Sequence, residues 1–114
     1  MKLGELASHI SIDPRKLAAY ALNPNAPRGR HKALVFDQVL GYNLSNWREL
    51  QAQIESLAPE AEACPRGVDQ YGHRYVADLL IKGVTGRETI VRTGWIVRPG
   101  EDVVRLVTLW IEGK

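Results

Sequence analysis

The hydrophobic period of this chain changes near its middle, and that change constrains the fold more than any other feature. Trp47, Leu50, Ile54 and Leu57 stand at i, i+3, i+7 and i+10, one face of a helix. Lys32, Val35, Phe36, Val39 and Leu40 form a second stripe at helical spacing. Residues 74–82, 88–98 and 103–111 are instead rich in β-branched and aromatic side chains. Gly83-Val84-Thr85-Gly86-Arg87 and Arg98-Pro99-Gly100-Glu101-Asp102 separate them as short turns, and short connections join antiparallel neighbours. The expectation is an α+β fold in one domain over residues 1–114, with N-terminal helices packed on a C-terminal twisted antiparallel β-meander.

Punctuation places the helices. Asp13 suits an N-cap and Pro14 the first helical position, while Asn23-Pro24 ends that helix. Residues 23–29 hold two prolines and a glycine and read as a rigid loop. The second helix is expected over residues 30–40, stopped by Gly41 in the left-handed position after the last turn. His31 and Lys32 then fall in its first turn, where unpaired N–H groups favour anions. A third helix starts near Ser45 and ends at Ala58-Pro59. Residues 59–72 read as loop, with room for a short edge strand.

With 45% hydrophobic and 25% charged residues, the 114-residue chain has an ordinary globular balance. The lone Cys64 excludes an internal disulfide and a thiolate zinc cluster, and His9, His31 and His73 are not spaced as local ligands, so no metal or cofactor is expected. No signal-peptide pattern opens the chain and no apolar run spans a bilayer, so the expected location is cytoplasmic, away from membranes. The net charge of +2 is small but unevenly spread. Residues 14–36 hold five Lys or Arg, one His and no acid, whereas residues 37–65 hold five acids and one Arg. Such asymmetry makes a local positive field on a near-neutral protein.

If both hairpins close symmetrically about their turns, Lys82 faces Glu88 and Val97 faces Val103. Counting by twos then sets Asp78, Arg92 and Thr108 in one polar row across three strands. Tyr75, Trp95 and Arg105 form a second row on the other face, and Ala77, Thr93 and Val107 a third. A slip of one residue turns a strand's side chains over and undoes the alignment. The plain structural alternative is an Asp78–Arg92 cross-strand ion pair with no further role.

Three stretches carry a family pattern: Leu17-x-x-Tyr20-x-Leu22-Asn23-Pro24 leading to Gly29-x-His31-Lys32-Ala33; Leu40-Gly41-Tyr42; and Arg92-Thr93-Gly94-Trp95 followed by Arg105-Leu106-Val107-Thr108. The pattern resembles an uncharacterised family of small bacterial domains, also found at the C-terminal tips of contact-dependent growth-inhibition toxins. Those toxin tips look like the barnase–EndoU–colicin–RelE group of metal-independent ribonucleases, in which helices precede a twisted sheet whose open face holds RNA. Related modules often carry a histidine before the loop proline. Ala26 stands before Pro27 here, so a second histidine from that position is missing. Within the resemblance, the missing delivery region favours a stand-alone toxin beside a small antitoxin or immunity protein.

The resemblance thus implies RNA cleavage by the substrate's own 2′-hydroxyl. The residues suited to that chemistry are His31 as base or acid, Lys32 and Arg92 on the phosphate, and Thr93 and Thr108 as positioning hydroxyls. Asp78 would orient Arg92, Trp95 or Tyr75 would stack a base, and Arg105 would bind substrate. Two other classes fit the residues: a protein-binding module using the acidic middle segment, as an adaptor or a toxin-neutralising partner, and an RNA binder that does not cut.

Overall fold

A computed structural model describes residues 1–113. Its elements follow the change of period. Strand β1 (His9–Ser11) precedes a wide helical turn at Leu17–Ala21, helices α1 (Arg30–Leu40) and α2 (Trp47–Leu57), and strands β2 (Cys64–Asp69), β3 (Gly72–Lys82), β4 (Glu88–Val97) and β5 (Val103–Ile111). The five strands form one sheet in the order β1-β5-β4-β3-β2. The fold is α+β, as expected. No helix among the described residues is long and apolar enough to cross a membrane.

Several boundaries match the punctuation. Helix α1 runs over residues 30–40, and Gly41 closes it at φ 76° with its N–H on the Asp37 carbonyl. Helix α2 starts two residues after Ser45, and Ala58-Pro59 passes into a short 3-10 turn. The first helix is the exception. Its Leu22 N–H bonds the Leu17 carbonyl at 2.8 Å, five residues back, so this segment is one widened turn. Gly29 explains the tight junction before α1, because a Cβ there would run into the Tyr20 carbonyl.

Two strands needed the fold to become visible. Strand β2 occupies the stretch read as loop with room for a short edge strand; it is that edge strand, pairs with β3, and exposes all six residues, so it carries no burial pattern. Strand β1 is three residues long and lies parallel to β5, His9 beside Val103. The sheet is therefore mixed, where a purely antiparallel meander was expected.

One face of the sheet packs on the helices. Ala77, Leu79 and Ile81 of β3, Val91 and Trp95 of β4, and Val104, Leu106, Leu109 and Ile111 of β5 join Phe36, Leu40, Leu50 and Ile54 in the core. Tyr42 and Gln53 lock the helices to the end of β3: the tyrosine hydroxyl and the Gln53 amide both donate to the Lys82 carbonyl, at 2.7 Å each.

The hairpin registers divide the sequence expectations. Strands β3 and β4 pair as expected, Lys82 with Glu88 and Asp78 with Arg92. Strands β4 and β5 do not. Their pairing starts one residue later, Val97 opposite Val104, and a bulge beside Gly94 adds another residue. Leu106 pairs with Trp95 and Thr108 with Gly94, leaving Val107 as the extra residue. Arg92 consequently faces Trp110, Thr93 faces Leu109, and Arg105 faces Ile96. The correction has a clear cause: symmetric closure would have put Arg105 opposite the buried Trp95, and the shift puts Leu106 there instead.

Candidate functional site

The second face of the sheet carries the polar groups. Asp78, Arg92 and Trp110 form one row across β3, β4 and β5. Arg92 binds Asp78 through both nitrogens, Nε to Oδ1 at 2.8 Å and an Nη to Oδ2 at 3.1 Å. This pairing holds the Asp78 carboxyl below its usual range. Arg92 also reaches Glu112 at 3.3 Å, and the Trp110 indole N–H donates to that same carboxylate at 2.9 Å.

Lys32 joins this face from the helix layer. Among the described residues, β5 has no strand neighbour on its β1 side beyond Arg105, and Thr108, which Lys32 binds, lies in that unpaired stretch. Its ammonium donates to Thr108 Oγ1 at 3.0 Å. It also stands 5.2 Å from the centre of the Tyr20 ring and 5.8 Å from that of Trp110, within cation–π reach of both. Burial pushes its pKa below the ordinary lysine value. His31, one residue earlier, is exposed in the first turn of α1 and has no hydrogen-bond partner among the described residues.

A groove leads away from Thr108. A cavity of about 760 Å³ lies over Ile96, Leu106 and Val107, with Arg15, Lys16, Arg74, Arg98 and Arg105 around it and Asp13 as its one acid. A smaller cavity of about 430 Å³ shares Asp13, Arg15, Lys16 and Val107 with it and ends on Tyr20 and Thr108. The two share four lining residues and together run from the β2–β3 turn to Thr108, the hydroxyl that Lys32 binds. Three of its arginines are partly neutralised, Arg15 by Asp13 at 2.7 Å, Arg74 by Asp69 at 2.8 Å and Arg105 by Glu101 at 3.2 Å. Among the described residues, Lys16 and Arg98 make no ion pair.

Of the residues chosen from the sequence, Lys32, Thr108, Asp78, Arg92 and Arg105 share this face, and His31 is exposed one residue before Lys32 in α1. Thr93, Trp95 and Tyr75 do not. Thr93 is 0% exposed; it donates to the Ala77 carbonyl at 2.7 Å and accepts the Trp95 indole N–H at 2.7 Å. Trp95 is 1% exposed, and Tyr75, paired with it, packs on the core. One of the two expected positioning hydroxyls, Thr93, and both expected stacking rings therefore belong to the helix-facing side, where burial closes Thr93 and Trp95 to a nucleotide.

Sequence reasoning missed Arg15, Lys16, Arg74, Arg98, Tyr20, Tyr71 and Trp110. The basic run after Pro14 was a usable signal for the first two. Two acids of the middle segment make surface ion pairs while their side chains stay largely exposed. Glu60 is bound by Lys2, and Glu62 by the N-terminal amino group at 2.8 Å.

The fold resembles that of a solved chain in the contact-dependent growth inhibition toxin–immunity protein complex from Klebsiella pneumoniae 342. Identity is 16%, the TM-score is 0.65, and the match covers 87% of this chain and 96% of that one. At this identity the likeness is one of fold. Among curated proteins none matches the chain. The family described as a domain of unknown function, DUF6883, matches residues 2–113.

Proposed function

The chain belongs to the DUF6883 family, and we propose that it is a ribonuclease of the bacterial toxin type that holds RNA along the open face of its sheet. The observation that carries this reading is the Lys32 ammonium on Thr108, 3.0 Å apart, at the end of an arginine-lined groove. A cation and a hydroxyl at that spacing suit two non-bridging oxygens of one phosphate. Arg98 and Lys16 supply charge for the neighbouring phosphates.

RNA brings its own nucleophile. The 2′-oxygen attacks the adjacent phosphorus, the bond from phosphorus to the 5′-oxygen breaks, and the products carry a 2′,3′-cyclic phosphate and a 5′-hydroxyl. One proton leaves the 2′-hydroxyl and one reaches the 5′-oxygen. His31 carries one of these transfers and water the other, since Ala26 leaves no second histidine at the loop proline. Arg92, held by Asp78, offsets charge beside the reacting phosphate. The likeness to a chain of a toxin–immunity complex supports a role within such a pair. A small partner with an acidic surface would match the charge of the groove.

The test is incubation of purified protein with mixed cellular RNA in excess chelator, with analysis of the new ends. Cyclic phosphate and 5′-hydroxyl ends are expected, with a loss of about 100-fold or more in Lys32→Ala and a smaller loss in Thr108→Val. Intact RNA with well-folded wild-type protein, or a wild-type rate in Lys32→Ala, would refute the proposal.

A further inference from the structure

The larger cavity of the groove extends away from Thr108 to the β2–β3 turn. There the cavity is walled by Gln70, Tyr71, Arg98 and Pro99 above an Ile96 floor. The larger cavity as a whole, about 760 Å³, falls in the roughly 300–1,000 Å³ range of small-molecule sites. Tyr71 is 60% exposed and lines this cavity, so its ring is accessible from the groove.

The turn that presents Tyr71 is held from several sides. Asp69 accepts the Tyr71 N–H and the Arg74 Nε–H, both at 2.8 Å. Gly72 adopts φ 137°, and a Cβ there would collide with the Val97 carbonyl, so the turn sits directly on the end of β4. The ring is thus offered at low entropic cost, on a backbone already fixed in place.

We propose that this end of the groove is a base-binding subsite that takes one unstacked nucleobase of single-stranded RNA, with Tyr71 as its stacking platform. The inference rests on the ribonuclease reading and adds a substrate class to it. A ring can stack only on a base that has left its own stack, and duplex RNA keeps its bases inside. The Gln70 amide offers a donor and an acceptor to the edge of that base. Arg98 at the rim meets the backbone on either side. Tyr71 takes the role that the buried Trp95 cannot fill.

The experiment measures binding by fluorescence anisotropy, using an uncleavable 2′-O-methyl RNA of about ten nucleotides, a length within the range one such groove covers. A duplex of the same length and a single strand lacking its bases serve as controls. Wild-type protein is expected to prefer the intact single strand. Tyr71→Ala should lose about tenfold on that strand, with little change on duplex or base-free strand and an unchanged salt slope. Tyr71→Phe should bind as wild type. Arg98→Ala should weaken all three and reduce the salt slope by about 0.7. Wild-type affinity in Tyr71→Ala, or equal losses on all three probes, would overturn the subsite while leaving cleavage intact. Failure of the wild type to bind any of the probes would overturn both readings.

Discussion

Thr93→Val separates a catalytic role for this residue from a structural one. The hydroxyl is fully buried and does two jobs: it donates to the Ala77 carbonyl and accepts from the Trp95 indole, both at 2.7 Å. Valine keeps the shape and removes both bonds. Losing the hydrogen bond to Ala77 costs about 1 kcal/mol, and leaving the indole N–H buried without a partner costs about 1–3 kcal/mol. The methyl gained in the core returns roughly 0.8 kcal/mol. The net expectation is a destabilisation of about 2 kcal/mol. With an unfolding entropy of about 2.1 cal/mol/K per residue, that lowers Tm by about 8 °C. Urea unfolding followed by tryptophan fluorescence should show a lower midpoint at constant slope. In a Trp95→Phe background the same change should cost about 1 kcal/mol or less, because no N–H remains to be orphaned. Cleavage per folded molecule should stay at the wild-type level. A stability change below about 0.5 kcal/mol, or full additivity with Trp95→Phe, would refute the reasoning.

Other expectations follow from the same geometry. Arginine side chains hold the carboxyls of Asp69, Asp78 and Glu101 below their ordinary values, so the unfolded chain binds more protons in that range. Their stabilisation is complete above the ordinary carboxylate range and is lost as pH falls through the lowered values; a urea midpoint that does not drop between about pH 6 and pH 3 would contradict this. Gly29→Ala drives a methyl into the Tyr20 carbonyl at the start of α1. It should cost about 2–3 kcal/mol in a thermal melt and displace Lys32, so that RNA cleavage falls even where the protein remains folded. Asp78→Asn removes a negative charge beside Arg92. Stability should fall by less than about 1 kcal/mol, while RNA affinity rises at low salt and converges with wild type at high salt; a weaker affinity at low salt would count against Arg92 facing the RNA.

Much of the framework was legible because its signals are local. Arg30–Leu40 has a helical stripe and a terminal glycine, alternation keeps Ala77, Leu79 and Ile81 on a single face, and the β3–β4 turn closes symmetrically as expected. The Asp78–Arg92 pair follows from that turn alone. The remainder of the site was not local. Strand β1 has three residues and exists through its partner β5, and β2 is wholly exposed and offers no alternation to read. Lys16 and Arg98 are far apart in the chain and meet only across the folded sheet.

By itself, then, the order of residues determined helices α1 and α2, strands β3 to β5, the symmetric closure of the β3–β4 hairpin and the clustering of positive charge from Pro14 into α1, because periodicity, turn chemistry and charge act over a few neighbours. Tertiary packing decided which side of the sheet each polar group occupies. The one-residue offset at the β4–β5 turn opposes Leu106, not Arg105, to Trp95, and the bulge at Val107 then sets Thr108 opposite Gly94, on the face where Lys32 meets it. A register is chosen by the free energy of burying a whole face, a quantity that no short stretch of sequence contains.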